Sequence, residues 1–175
     1  MAEHALQQYA STGPFAMLLE GILDTYQSLG VSEPQKPEQL WTALRIQRSM
    51  VEWYMEREQW VQAITLLREW LVSWVMARIG QVNLQSRSAR ERVEKEIRDE
   101  ANAFLESRRS DKAFQPLFLK SIGELQEILQ IWIDLVEVRN DIDHAGMRDQ
   151  PKDAVSLVEQ IKALAARVDG IPLEN

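Results

Sequence analysis

The helical spacing of apolar residues is the feature that most constrains the fold of this chain. Between positions 118 and 136, apolar side chains recur every three or four residues: Phe118, Ile122, Leu125, Leu129, Trp132 and Val136. This interval places them on one side of an α-helix, whereas a half-buried β-strand would alternate at every second residue. Such alternation is absent from the sequence, and its glycines and prolines fall mostly between the periodic segments. The pattern therefore predicts an all-α protein.

The periodic segments predict a helical bundle of four or five main helices joined by short links. After a first helix over 15–29, helices are expected at about 37–56, 59–79, 89–107, 114–143 and 149–168. Ser88 and Glu91 have the spacing of a capping box for the fourth helix. Pro116 is compatible with the first turn of the fifth. We assign residues 1–36 to an amino-terminal helix and connector, and residues 37–175 to the bundle.

The helix over 59–79 is apolar on more of its surface than one partner helix would cover. Its main stripe consists of Trp60, Ile64, Leu67, Leu71, Trp74 and Val75, and it is widened by Val61, Leu66, Trp70 and Val72. A helix of this kind is either central in a bundle or half of a dimer interface. The sequence leaves both alternatives open.

Composition excludes several classes of protein. The chain has no cysteine, and its two histidines, His4 and His144, stand at opposite ends without metal-ligand spacing, so we expect no metal and no cofactor. A net charge of −7 argues against a nucleic-acid binder that acts through bulk charge, but it allows a small site with a few arginines. The sequence has neither a secretory leader pattern nor a long apolar run, which predicts a soluble, cytoplasmic protein with no membrane partner.

The residues best suited to a functional site lie in the stretch from Val138 to Gly146, at the end of the longest periodic helix. Continuing the apolar stripe by one turn reaches Arg139, so the periodicity places this arginine on the buried side, where it needs a partner or a cleft. Asn140 and His144 are four apart and share a face, whereas Arg139 and His144 point about 140° away from each other. Two copies of this helix end, facing each other across a two-fold axis, would bring the groups together.

These residue types suit cleavage of RNA without a metal. A histidine exchanges protons near neutral pH, an arginine holds a phosphoryl oxygen, and an asparagine orients a hydroxyl. Together they could assist attack of the ribose 2′-hydroxyl on the adjacent phosphate. A structural alternative is an ion pair between Arg139 and Asp143, with His144 at the negative end of the helix dipole. Arg108 and Arg109 are expected to lie in a short basic loop, which is either a weak RNA contact or an exposed hinge.

The stretch Arg139-Asn140-Asp141-Ile142-Asp143-His144 resembles the R-N-x-x-x-H form of the R-x(4–6)-H motif of HEPN-domain ribonucleases. The sequence from Val138 to Arg148 is similar to that of CRISPR-associated HEPN proteins, which usually carry a CARF sensor domain upstream. The segment 59–71 also looks like the first core helix of those domains. The resemblance covers roughly residues 38–168.

This resemblance implies a homodimeric, metal-independent endoribonuclease that cuts single-stranded RNA in antiviral defence. Arg139, Asn140 and His144 of both chains would form its composite site, and Arg148 is a weaker candidate for RNA contact. In that family a cyclic oligoadenylate bound by the CARF domain switches on RNA cutting. This sequence encodes no such sensor. The chain is therefore expected to be either the effector part of a longer protein or a stand-alone member. The alternative is a non-catalytic helical dimerisation or binding module of an RNA-guided or toxin–antitoxin complex.

Overall fold

The computed structural model describes residues 36–144 and 152–173, which contain five α-helices and no β-strand. A short 3-10 turn, Pro37–Gln39, leads into the first of them. The helices are α1 (Leu40–Glu56), α2 (Trp60–Arg78), α3 (Arg87–Arg109), α4 (Leu125–Asp143) and α5 (Ala154–Asp169). The predicted all-α bundle is therefore confirmed, while the helix expected over 15–29 lies outside the described residues. No helix of the described ranges has the length and apolar character needed to cross a membrane.

Helix α2 is the central element of the bundle. It packs against α1, α3, α4 and α5, and the side chains from Trp70 to Ala77 are all buried by the chain itself. Each large apolar side chain buried in this way contributes about 1.5–3 kcal/mol relative to leaving it in water. Of the two alternatives left open by its wide apolar surface, the central position is the observed one. The carboxyl-terminal half of α2 consequently offers no surface for a second chain.

Two tryptophans on α2 anchor neighbouring segments through their ring nitrogens. The indole Nε1 of Trp70 donates to the carbonyl oxygen of Leu44 at 2.8 Å, which ties α2 to α1. The indole Nε1 of Trp74 donates to the carbonyl oxygen of Pro172 at 2.9 Å, which fixes the segment after α5. Arg48 of α1 completes this attachment by donating to the carbonyl oxygen of Ile171 at 3.2 Å. Both buried indoles thus serve packing, and neither is available for base stacking.

The connection between α3 and α4 differs from the prediction. Residues 110–124 are not helical, and α4 begins at Leu125, not near position 114. Phe118, predicted to begin the buried stripe, is 56% exposed, whereas the adjacent Leu119 is fully buried. The physical reason is the buried carboxylate of Glu100 on α3, which accepts hydrogen bonds from the backbone N–H groups of residues 117, 118 and 119. These donors are satisfied by a side chain, so the segment does not need helical carbonyl partners.

The observed starts of α3 and α5 differ from the starts predicted at about positions 89 and 149. Helix α3 begins at Arg87 and is capped by Ser86, whose hydroxyl accepts from the backbone N–H of Ala89 at 3.4 Å, so Ser88 is not the cap. Helix α5 begins at Ala154, and Asp153 is its N-cap. Hydrogen bonds from the hydroxyl and the backbone N–H of Ser156 lower the pKa of the Asp153 carboxyl, and the N–H of residue 155 adds to the effect.

Candidate functional site

The predicted motif lies at the end of α4 with most of its side chains in solvent. Arg139, Asn140 and His144 are exposed, while Val138 and Asp141 are buried. The prediction that Arg139 lies on the buried side of the helix is wrong, since 46% of its side chain is exposed. The buried line of α4 continues from Trp132 through Leu135 and Val138, and the residues next to that line, Val136 and Arg139, lie at its edge.

The ion pair expected from the structural alternative is present. The Nε of Arg139 lies 3.4 Å from a carboxylate oxygen of Asp143, one turn later on the same face. Both side chains are about half exposed, so the pair contributes only a few tenths of a kcal/mol. A ligand with a stronger negative charge could therefore draw Arg139 away from Asp143 at small cost.

Asp141, in the middle of the motif, sets the orientation of the last turn of α4. Its side chain is 4% exposed and lies 3.3 Å from the amino group of Lys152, which also contacts Glu137 at 3.0 Å. Burial lowers the pKa of Lys152, but the two carboxylates outweigh that effect and raise it overall. Because Asp141 faces inward, Arg139, about 200° away around the helix, faces outward. The Asp141–Lys152 pair thus links the segment just before α5 to the last turn of α4, which carries the motif.

His144 is the carboxyl-terminal cap of α4. Its backbone N–H donates to the carbonyl oxygen of Asn140 at 3.1 Å, and its imidazole is exposed. This position agrees with the alternative in which the side chain lies at the negative end of the helix dipole. Arg148, predicted as a weaker RNA contact, lies outside the described residues.

Arg139 and Asn140 line a groove between α3 and α4 with a volume of about 360 Å³. Its lining comes from α2, α3 and α4: Arg68, Glu94, Arg98, Ala101, Asn102, Leu105, Trp132, Ile133, Val136, Arg139 and Asn140. The three arginines and one glutamate give this lining a formal charge of +2, on a chain whose net charge is −7. His144 is not part of the lining, so within one chain the structure brings together only two of the three predicted site residues.

Arg68 of α2 is also part of the groove lining. Its guanidinium forms ion pairs with Glu94 and, at 2.9 Å, with Glu69. The same guanidinium lies 5.4 Å from the ring centroid of Trp132, a favourable distance for a cation–π contact. Arg68 is thus committed to the protein's own groups, and the ligand-binding capacity of the groove depends on its other polar residues.

Sequence reasoning missed Arg98 and Asn102 on the α3 side of the groove. They are four positions apart and therefore share a face of the helix. The signal was present, because both stand next to the thin apolar stripe of α3 formed by Val93, Ile97 and Ala101. In the sequence they were indistinguishable from the other charged and polar residues of a solvated helix face.

Arg108 and Arg109 were predicted to lie in a loop, but they belong to the last turn of α3. Arg108 donates to the side-chain oxygen of Gln130 at 2.9 Å, and Arg109 lies 3.1 Å from a carboxylate oxygen of Glu106. Both guanidinium groups are consequently engaged with neighbouring side chains of the chain itself. They lie outside the groove lining.

Among residues 36–144 and 152–173, no three histidine or acidic side chains are grouped as a metal would require. Comparisons with protein-family models, curated proteins and solved structures found no significant match to this chain. The functional argument therefore depends on the geometry and chemistry of the site.

Proposed function

We propose that this protein is a metal-independent endoribonuclease of the HEPN type that cuts single-stranded RNA. One observation carries the proposal: Arg139 and Asn140 lie side by side, accessible, in an arginine-lined groove on the helix that ends at His144. Arg139 would hold a phosphate oxygen and stabilise negative charge, while Asn140 would orient the ribose hydroxyl. His144 would exchange protons with the attacking 2′-hydroxyl or the departing 5′-oxygen. The products would be a 2′,3′-cyclic phosphate and a 5′-hydroxyl.

The proposal needs two chains, because one helix end cannot direct all three groups at one phosphate. Arg139 and His144 point about 140° apart, and His144 lies outside the groove that Arg139 lines. A two-fold axis near the end of α4 would place His144 of one chain beside Arg139 of its partner. Exposure of all three side chains leaves this helix end accessible to a second copy.

Within this proposal the protein acts in the cytoplasm as the effector part of a CRISPR-associated antiviral system. An accompanying CARF sensor domain that binds cyclic oligoadenylate would supply the activating signal. Such control would act on the arrangement of the two helix ends, since their relative position decides whether the composite site is complete.

The direct test is cleavage of a fluorescent single-stranded RNA in the presence of EDTA. His144→Ala and Arg139→Ala are expected to abolish cutting, whereas Arg87→Ala should cut like the native chain. Arg87→Ala is the matched control, because it removes the same charge from a side chain that is 92% exposed and absent from the groove lining. Equal cutting by native protein and both motif variants would refute the assignment, and cutting that stops in EDTA would refute the metal-independent mechanism.

A second candidate function is a non-catalytic binding module, and the Arg139–Asp143 ion pair favours it. In that case the motif is a surface feature of α4, and the pair is an ordinary helix contact. Arg139→Ala and Asp143→Ala would then change the free energy of unfolding by similar small amounts. A dimeric native chain that leaves RNA uncut, even when supplied with a cyclic oligoadenylate-loaded sensor, would support this second function.

A further inference from the structure

Arg98 is exceptional among the cations of α3. Every other arginine or lysine of this helix has an ion pair or a side-chain hydrogen bond: Arg87, Arg90, Arg92, Lys95, Arg108 and Arg109. Arg98 has neither with any residue that the structure describes, although it is exposed and lines the groove. Glu94, the acid one turn before it, is committed to Arg68. An unpaired guanidinium in a groove is available to an anionic ligand without the cost of breaking an internal pair.

Asn102 and Asn140 place amide groups on opposite walls of the same groove. Asn102 belongs to α3, one turn after Arg98, and Asn140 follows Arg139 on α4. An amide carries both a donor and an acceptor, which matches the hydrogen-bonding edge of a nucleobase. Each wall of the groove therefore combines one guanidinium with one amide.

The floor between these walls is mainly apolar. It includes Ala101 and Leu105 of α3 and Trp132 and Val136 of α4. Such a floor can contact the face of an unstacked base or a ribose, as in grooves that bind single strands. A volume of about 360 Å³ lies near the lower end of the range of roughly 300–1,000 Å³ for small-ligand pockets, which suits a nucleotide unit of a single strand. A duplex would keep its base edges paired and away from the two amides.

We propose that Arg98 and Asn102, together with Arg139 and Asn140, form a binding track that holds single-stranded RNA between α3 and α4. The proposal takes its substrate class from the proposed function and adds residues that lie outside the motif. Arg98 and Arg139 contact backbone phosphates from the two walls, and the amides contact a base. An acidic peptide would satisfy the two guanidinium groups, but it would leave the amides and the apolar floor without a matched partner.

The test is binding of a short fluorescent single-stranded RNA with 2′-O-methyl riboses, which cannot undergo transesterification. Fluorescence anisotropy in EDTA over a series of salt concentrations gives the dissociation constant and its salt dependence. Arg98→Ala is expected to weaken binding on the order of fivefold and to reduce the slope of log K against log salt by roughly 0.7, the value for one phosphate contact to a single strand. Asn102→Ala should weaken binding with little change of slope.

Arg92→Ala is the matched control for Arg98→Ala. It removes the same charge from the same helix at a side chain that is 64% exposed and absent from the groove lining. We expect its dissociation constant to stay within about twofold of the native value, with an unchanged slope. Because Arg98 is exposed and has no described partner, its replacement should leave the circular dichroism spectrum and the unfolding midpoint unchanged.

The outcomes separate this proposal from the proposed function. Equal binding by the Arg98→Ala, Arg92→Ala and native proteins would overturn the track, even if the native chain cuts RNA. Competition by polyglutamate or duplex RNA as strong as that by unlabelled single strand would also overturn it, in favour of a different ligand. Selective loss of binding in Arg98→Ala, with no cutting by any form, would support the track and remove the nuclease function. If His144→Ala binds RNA normally but does not cut it, while Arg98→Ala binds RNA weakly, the results would support both the binding track and the nuclease function.

Discussion

Glu100 holds the connection between α3 and α4 through hydrogen bonds, and replacing it tests this role. Its side chain is on α3, is 2% exposed and accepts three backbone N–H groups from the non-helical connection to α4. Two of these hydrogen bonds, from residues 117 and 118 to the same carboxylate oxygen, measure 2.6 Å. The other carboxylate oxygen is buried and has no hydrogen-bond partner among the described residues. We expect Glu100→Ala to release this connection while leaving the five helices in place.

The magnitude follows from these contacts. A hydrogen bond to a charged group contributes about 1.5–3 kcal/mol, so the two short ones together contribute about 3–6 kcal/mol. Removing the carboxylate also removes the cost of burying an oxygen without a partner, about 1–3 kcal/mol. The expected loss for Glu100→Ala is therefore about 3 kcal/mol of the free energy of unfolding, a large part of the 5–15 kcal/mol typical of a domain. Glu100→Gln keeps one acceptor oxygen but buries an amide NH₂, so it should lose roughly half as much.

Urea unfolding followed by far-UV circular dichroism measures the loss, and amide hydrogen exchange locates it. Exchange of the amides of Leu117 and Phe118 should accelerate in Glu100→Ala more than that of the α2 amides. Glu106→Ala, on the same helix with a side chain 70% exposed, is the control and should change stability by less than about 0.5 kcal/mol. A Glu100→Ala protein as stable as this control, with unchanged exchange at residues 117 and 118, would refute the assigned role of the carboxylate.

Three further predictions concern the ends of the helices. The pKa of the Asp153 carboxyl is lowered from 3.8, so its ionised form stabilises the folded chain above that value, and this stabilisation is lost as the pH falls through the lowered pKa. Asparagine caps a helix at any pH. The urea midpoint should therefore decline less between neutral pH and about pH 2 in Asp153→Asn than in the native chain. Lys152→Met takes the lysine from the buried carboxylate of Asp141 and should cost about 2 kcal/mol in urea unfolding, whereas Lys162→Met, at an exposed position of α5, should cost less than about 0.5 kcal/mol. Gly80→Ala forces a φ of +81° on a residue with a Cβ but meets no atom within 4 Å, so thermal unfolding should show a loss of about 1 kcal/mol from backbone strain alone; an unchanged midpoint would contradict this.

The course of the described helices was predictable because helical periodicity is a local property. Helix α2 was expected over 59–79 and is observed from Trp60 to Arg78. The buried stripe of α4 was recognised correctly at Leu125, Leu129 and Trp132. The start of α4 was misjudged because the group that decides it, Glu100, is on another helix. A periodic pattern cannot reveal that a distant carboxylate will take the backbone donors of residues 117–119.

The sequence by itself determined the all-α class, the helices of the bundle core and the stretch that carries Arg139, Asn140 and His144. Only the tertiary structure decided that Arg139 and Asn140 open into a groove with Arg98, and that His144 lies outside it. Spacing along one helix fixes which residues share a face of that helix. Which residues of α3 and α4 share a groove depends on how the two helices pack, and that packing is set by burial of apolar surface across the whole bundle.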